Sequence, residues 1–548
     1  MRNHEIADLF DGIADVLEFI GENIFKINAY RKAARRIRES SEDIEHLYQT
    51  NQLSKIPGIG KNIADHIEEY LKTGSISKYR QILSKIPSNF VEMMKIPNLG
   101  PKTLKLIHDR FNIQTIEDLR KVLEKEELLM LPGMGEKKLE NIKKGIDLYL
   151  SKRANQRISL GVALPVVSVI VDYMKSVCRQ IFPCGSLRRM KETIGDIDIL
   201  CTADDRNKVI ERFIRYPGTL SVIAEGDTRA SIIVRDNLLQ VDIRVVEPVS
   251  YGAALQYFTG SKDHNIKLRA IAKEKGLKIN EYGIFKGDIR IAGETEQQIY
   301  QILGMPFIPP EIREDRGEIE AALKGELPVL VEEKDIYGDM HVHTSFSDGM
   351  STVEEIVNKA IEMGYKFIGL ADHSRTSKFA GGLTVERLRE RSREIDRIVE
   401  KYPEITIFKG AEVDILGDGR LDYPDEILAE LDFVIGSIHQ GFKKNVTERM
   451  LKAMENPYLD IIGHPTGRLI SSREGYDLDI DTVIKYAAQT GTALEINAYY
   501  DRLDLNDVNV LKARENNANI AIGTDAHNVR MMEYMKLGIG VARRGWLE

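Results

Sequence analysis

Cysteine is scarce in this chain of 548 residues: three, Cys178, Cys184 and Cys201, all in one short stretch. They are too few for a disulfide framework and lack the spacing of a zinc ribbon. No apolar run approaches the ~20 residues of a membrane helix, so no span is expected. The opening MRNHEIADLFDGIADVLEFIGENIF carries acids through its apolar stretch. A secretory signal would not, and a cytoplasmic protein is expected. Low-complexity and fibrous classes are excluded as well: 43% apolar and 30% charged residues are enough to bury cores, in about three to four domains at roughly 100–200 residues each. A net positive charge is also missing. The total of −8 argues against a nucleic-acid partner, but it is uneven, −9 over 337–548 and +1 over 1–336.

Residues 1–85 read as amphipathic helices. KINAYRKAARRIRES carries a basic face of Lys26, Arg31, Lys32, Arg35, Arg36 and Arg38. A repeat follows at about 35–40 residues: IPGIGKNIADHI, IPNLGPKTLKLI and LPGMGEKKLENI. Gly58, Gly60, Gly100, Gly133 and Gly135 precede helix starts, where backbone N–H groups and the helix dipole favour a phosphate. Lys61, Lys102 and Lys137 stand beside the turns, and Asn98 replaces the first glycine of the second copy. The three copies resemble the helix-hairpin-helix motif, which grips the DNA backbone without reading sequence.

Residues 155–305 turn to mixed strands and helices, an α+β region. In CGSLRRMKETIGDIDIL, Asp196 and Asp198 are two apart, so a strand puts both on one face. Close carboxylates repel unless a cation lies between them, and oxygen ligands suit Mg²⁺. Asp242 in LLQVDIRVV completes a set of three for two-metal phosphoryl transfer. Gly185-Ser186 with Arg188 and Arg189 offers amides, a hydroxyl and charge to a triphosphate.

With LQYFTGSKDHNIKLRAIAKEKGLKINEYGIF downstream, residues 1–315 resemble the family X DNA polymerases, the group of polymerase beta. The resemblance implies that Asp196, Asp198 and Asp242 are the metal carboxylates, with Asp242 as base on the primer 3′-hydroxyl. It implies a triphosphate pocket at Gly185, Ser186 and Arg189. Tyr257, Phe258, Thr259 and Gly260 match the turn that crowds the 2′ position of the sugar; Asn265 matches a base-edge contact and Arg269 a template contact. Lys26, Tyr30 and Lys61 match 5′-phosphate contacts. The position of the family's Schiff-base lysine is His66. Imidazole cannot form that iminium, so lyase activity is not expected.

Residues 337–548 alternate short apolar runs with helical patterns, about seven βα units of a parallel barrel. His341, His343, Asp348, His373, Glu412, His439, His464, Asp525 and His527 fall at or just after the C-terminal ends of those runs, which a barrel gathers at one mouth. Mixed nitrogen and oxygen ligands suit Zn²⁺, Mn²⁺ or Fe²⁺, and nine are enough for two or three ions. The set resembles the PHP (polymerase and histidinol phosphatase) family with every ligand motif present, which implies a metal-dependent phosphoesterase.

The expected fold is multidomain α+β and α/β. A helical 5′-phosphate and DNA-binding domain with helix-hairpin-helix (1–85) precedes helical fingers with the further repeats (86–153). A nucleotidyltransferase palm (154–247), a small α/β thumb (248–315) and a linker (316–336) lead to a PHP domain (337–548), a distorted (β/α)7 barrel. The expected function is gap filling on primed DNA with a 5′-phosphate, using deoxynucleoside triphosphates and two Mg²⁺ or Mn²⁺ ions. A PHP 3′–5′ exonuclease with two to three Zn²⁺, Mn²⁺ or Fe²⁺ accompanies it, extending to abasic-site cleavage or 3′-phosphate removal. A monomer is the default. The rivals are a phosphatase of small esters with a vestigial polymerase half, and a non-catalytic DNA-end scaffold.

Overall fold

The computed structural model describes residues 3–39, 44–49, 53, 59–73, 76–83, 86, 88–94, 96, 98–123, 128, 131–154 and 157–548. The chain forms two compact units, Met1–Gln156 and Arg157–Glu548.

The first unit is helical among its described residues, as the 3.6-residue periodicity predicts. The helices Asn3–Phe19, Ile24–Glu39 and Lys61–Thr73 bury Phe10, Ile13, Ala33, Ile37, Ile63 and Ile67 in one core. A second core gathers Phe90, Leu104, Ile107, Leu119 and Ile142 from later helices, including Pro101–Phe111 and Glu136–Ala154. Arg31 ties the first two helices together by its ion pairs with Asp15 and Glu18, 3.2 and 2.5 Å.

In the second unit, a short antiparallel pair of β1 (Ile158–Ser159) and β3 (Thr193–Ile194) flanks a five-stranded sheet. That sheet is built from β2 (Gln180–Pro183), β4 (Ile197–Thr202), β5 (Thr219–Glu225), β6 (Arg229–Val234) and β7 (Gln240–Val245), in the order β2-β4-β7-β6-β5. Only β4 and β7 run parallel. The helices Leu160–Met174 and Arg206–Ile214 supply Val167, Ile170, Val209 and Phe213 to its core. One finding departs from the sequence reading: Leu160–Val177 is apolar and long enough to cross a membrane by length and composition. Leu160, Ala163, Val167, Ile170 and Met174 of that segment pack into the core against the five-stranded sheet.

The region after the palm joins helices Tyr251–Thr259, Lys262–Glu274 and Glu296–Ile302 to a three-stranded antiparallel sheet. Its strands are β8 (Lys278–Asn280), β9 (Gly283–Lys286) and β10 (Ile289–Ala292). Glu296 holds this region against the palm. It accepts from Arg188 Nη1 and Nη2 at 3.0 and 2.6 Å and from Arg313 Nη1 at 2.7 Å. The interval 316–336, expected as a linker, is ordered and packed. It contains the helix Glu318–Lys324, and fully buried Glu318 lies 2.6 Å from Nδ1 of buried His264.

A prediction arises at Glu296. Burial raises its pKa, but Arg313 and Arg188 outweigh burial and hold the carboxyl below its ordinary value. The stabilisation is therefore full above about pH 4.5 and is lost as pH falls through the lowered folded-state value. Glu296→Gln leaves two buried guanidinium groups without a counter-charge and should cost about 3–5 kcal/mol at pH 7. Urea unfolding of the two proteins across pH checks this: the gap should be wide at pH 7 and narrow in acid.

The C-terminal region is a seven-stranded parallel sheet in sequential order: β11 (Gly338–Val342), β12 (Phe367–Leu370), β13 (Thr406–Asp414), β14 (Phe433–Ser437), β15 (Ile461–Ile462), β16 (Ala493–Asn497) and β17 (Ile520–Gly523). A parallel bridge between Val342 and Ala526 joins the first strand to the end of the last and closes the barrel. The intervening helices start where side chains cap them; Thr352 forms a capping box with Glu355, and Thr384 accepts from the Arg387 amide.

Candidate active sites

The register of β4 and β7 sets Asp198 directly beside Asp242, and Asp196 lies one residue before β4. Burial first, then the charges of Asp196 and Asp242, push the Asp198 carboxyl up to about 6. Such a group is more stable with a cation next to it. Gln240 Nε2 lies 3.3 and 3.2 Å from the two Asp242 oxygens and keeps that side chain oriented. Gly185 turns left-handed, φ +63°, with Asp198 Oδ2 only 3.0 Å from where a Cβ would stand. A larger residue would enter the space beside the acids; glycine keeps it open. Asp198 and Asp242 side by side at an open turn, with the charge of Asp196 acting on Asp198, suit divalent cations.

The neighbouring arginines divide their roles. Arg188 donates from both Nη atoms to Glu296 and from Nη1 to Thr259 Oγ1 at 2.7 Å, which ties it to the helices Glu296–Ile302 and Tyr251–Thr259. Arg189 donates from Nε to Glu314 at 2.9 Å and from Nη1 to the Thr259 carbonyl at 2.7 Å. Its Nη2 makes no hydrogen bond among the described residues. Ser186 lies in the short helix Gly185–Arg188 that opens at the turn. Tyr257 and Phe258 end the helix Tyr251–Thr259, with rings 5.2 Å apart, and Phe258 stacks 4.6 Å from the Arg244 guanidinium. Asn265 bridges to that helix: Nδ2 donates to the Tyr257 carbonyl at 2.7 Å, and Oδ1 accepts from Gln256 at 2.8 Å. Gly260 must lack a side chain, because a Cβ there would meet Asn265 Oδ1 at 2.6 Å. Arg269 donates within its own helix to the Asn265 carbonyl at 3.3 Å.

In the helical unit, Gly60, Gly100 and Gly135 are exposed and immediately precede the helices Lys61–Thr73, Pro101–Phe111 and Glu136–Ala154. Gly58 lies outside the described residues. Gly133 is left-handed at φ +74°, and Asn98, which takes its place in the second copy, adopts φ +67°. Asparagine tolerates that conformation, so the same turn forms. Glu136 puts an acid at the third helix start, where an anion is less welcome. Lys61 is exposed at its helix start. Lys26 pairs with Glu22 at 2.6 Å. Tyr30 is buried, with its hydroxyl 3.0 Å from His66 Nδ1 and the rings stacked. Burial pushes the Tyr30 hydroxyl up to about 12 and the His66 imidazole down.

At the C-terminal ends of the barrel strands all nine expected ligands converge. Three overlapping groups bring donor atoms within 4.8 Å of one another: His343, Asp348, His373 and His527; His341, His343 and Glu412; His373, Glu412 and His439. His464 joins through Nε2, 2.9 Å from Glu412 Oε1, and Asp525 through Oδ1, 3.1 Å from His343 Nε2. His341 Nε2, both His343 ring nitrogens, His373 Nδ1 and Glu412 Oε2 are buried without a hydrogen-bond partner among the described residues. So many orphaned donor atoms in one place fit metal ions. Burial opposes charge here. Even so, His373, His439 and His341 hold Glu412 well below the usual carboxylate range, and His341 holds Asp525 there too.

Sequence reasoning missed the residues behind these ligands. Glu495 on β16 lies 2.6 Å from His341 Nδ1 and accepts the His464 amide at 2.6 Å. Asp414 on β13 lies 2.6 Å from His439 Nδ1. Arg502 and Asn497 approach Asp525 at 3.4 and 3.1 Å. Glu495 had a signal, since LEIN ends an apolar run as the ligand motifs do. Outer partners of this kind fix the imidazole tautomer. Glu495→Gln should keep the fold and weaken Mn²⁺ binding about 10–100-fold, read by calorimetric titration.

Family models match four segments of the chain. A helix-hairpin-helix domain matches residues 1–76 and a tandem one 90–147; the DNA polymerase beta thumb matches 254–314; the PHP domain matches 339–499. The DNA polymerase/3′-5′ exonuclease PolX of Bacillus subtilis (strain 168) is 38% identical over 557 residues, 100% of this chain and 96% of its own length. The chain belongs to the family X DNA polymerases that carry a PHP domain. Two other relatives each match part of it. DNA polymerase lambda of Arabidopsis thaliana is 25% identical, covering 57% of this chain and 62% of its own. A probable phosphatase of Thermoanaerobacter sp. (strain X514) is 32% identical over 34% of this chain and 78% of its own. Polymerases of this family and PHP enzymes depend on metal ions.

Proposed function

We propose that this chain fills short gaps in DNA during repair and trims 3′ ends in a second active site. The observation that carries the reading is the pairing, in one chain, of the Asp196–Asp198–Asp242 set with the complete nine-ligand barrel mouth. The first set would hold two Mg²⁺ or Mn²⁺ ions and the second two or three of Zn²⁺, Mn²⁺ or Fe²⁺. Bound there, such ions neutralise phosphate oxygens and bring a hydroxyl or water to a reactive state near neutral pH. Asp242 takes the proton of the primer 3′-hydroxyl. Gly185, Ser186 and Arg189 receive the triphosphate; Tyr257, Phe258 and Gly260 press on the sugar, and Asn265 meets the base edge. Arg269 contacts the template. The exposed turns at Gly60, Gly100, Gly133 and Gly135, with Gly58 in the first copy, grip the DNA backbone. Lys26, Lys61 and Tyr30 lie toward a downstream 5′-phosphate, with Tyr30 turning from His66 to reach it. The protein works as a monomer, and in the cytoplasm, where DNA and deoxynucleotides meet.

The test is a 5′-labelled primer on a one-nucleotide gap with a downstream 5′-phosphate, incubated with Mn²⁺ with and without deoxynucleotides. Extension with them and shortening without them are expected. Affinity for the gap should fall steeply with salt, by about a thousandfold between 50 and 200 mM if six or more phosphates are contacted. Binding with neither reaction would leave a scaffold; hydrolysis confined to small phosphate esters would leave a phosphatase.

A further inference from the structure

The last helix of the barrel, Met535–Arg544, ends on a buried arginine that reaches out of its own domain. Arg544 Nη1 donates to the backbone carbonyl of Arg189 at 2.6 Å and to Glu314 Oε1 at 3.0 Å. That same Glu314 oxygen accepts from Arg189 Nε at 2.9 Å. Arg544 Nη2 is anchored at 2.6 Å by Asp507, which also pairs with Arg316 at 2.9 Å. The result is a chain of alternating charge, Arg189–Glu314–Arg544–Asp507–Arg316, that links the Gly185 turn to the barrel through Arg544 and Asp507 and returns to Arg316 ahead of the barrel. Gly540, one turn earlier, packs against Met190, which follows Arg189.

We propose that Arg544 is a positioning residue for nucleotide addition: the barrel domain, through it, sets the arginine that receives the triphosphate. This rests on the polymerase reading above. Glu314 is one carboxylate shared by two guanidinium groups. With Arg544 in place, its charge is divided and the Arg189 backbone is held from behind, so the Arg189 side chain is aimed with one nitrogen to offer. Without Arg544, Arg189 is the guanidinium still hydrogen-bonded to Glu314, with the charge of Lys191 also acting on that carboxylate, so Glu314 draws Arg189 toward itself and the Arg189 carbonyl loses a buried partner. Burial works against the Glu314 carboxylate, and the two arginines outweigh it to keep it ionised. Other contacts between the regions do not touch the nucleotide residues: Arg543 pairs with Glu311 at 2.9 Å and donates to the Val331 carbonyl.

The experiment measures deoxynucleotide KM and kcat for gap filling, and shortening of the same primer, in the full chain and in Arg544→Met, Arg544→Lys and Arg543→Met. Arg544→Met should raise KM about tenfold, the effect of one charged hydrogen bond, with kcat within about twofold. Shortening should be retained, Arg544→Lys should recover part of the loss, and Arg543→Met should leave KM unmoved. An unchanged KM in Arg544→Met, or an equal rise in Arg543→Met, overturns the proposal while the polymerase reading stands. No extension by the unsubstituted chain overturns that reading, and the proposal with it. If Arg544→Met does not fold, Asp507→Ala carries the test, because it removes the acceptor that anchors Nη2 while leaving both active sites intact. A smaller KM rise is then expected, and none overturns the proposal.

Discussion

Asp242→Ala will abolish primer extension and leave primer shortening intact. The loss should reach about a thousandfold or more, the scale on which removal of one preorganised charged group acts in a water-poor site. Asp242 faces Asp198 across the β4/β7 ladder, so its removal takes away both a cation ligand and the group assigned to the 3′-hydroxyl proton. The fold should survive. The backbone bonds of β7 to β4 and β6 do not involve the side chain, and the change removes a like charge from beside Asp198. Asp198 should accordingly titrate below its present value of about 6, which separates a working substitution from a collapsed sheet. Asp242→Asn, equal in volume, should lose extension to a similar degree. Extension at the normal rate by either variant would move the polymerase chemistry away from these acids.

The chemistry of both sites was legible because it is written in local period and position. Asp196 and Asp198 are two apart on a strand, and the barrel ligands stand where apolar runs stop. Neither pattern needs knowledge of distant contacts. What escaped is defined by partners far along the chain. Glu495 ends an apolar run as the ligands do, but its task shows only when β11 puts His341 beside it, 154 residues away. Arg188 and Arg189 look alike in sequence. Glu296 and Glu314, more than 100 residues downstream, give them different tasks. The prolines and acids of 306–336 suggest a linker, yet Glu318 is buried because His264 lies opposite it. Asn98 shows the reverse case. It departs from the glycine of the repeat but keeps the turn, since its backbone reaches the same left-handed region.

Glu412→Gln should silence the barrel while the palm continues to extend primers. This carboxylate belongs to two of the three ligand groups. Its Oε1 lies 2.9 Å from His464 and 3.4 Å from His439; its Oε2 lies 2.8 Å from His373 and 3.7 Å from both His341 and His343. Five imidazoles around one buried carboxylate make it the hub through which the ligand groups share charge. Glutamine keeps the volume and removes the charge, so the site loses its central counter-charge for multivalent cations without losing its packing. Bound metal per chain should fall, and Mn²⁺-dependent shortening should drop by about a thousandfold or more, as expected when a metal site no longer polarises phosphate oxygens and activates water. The same variant sorts the phosphoesterase activities. If 3′–5′ trimming, release of a 3′-terminal phosphate and cutting at abasic sites all fall together, one metal centre performs them. An activity that survives Glu412→Gln with its metal dependence intact must be carried out elsewhere in the chain, and the palm acids are then the site to substitute next.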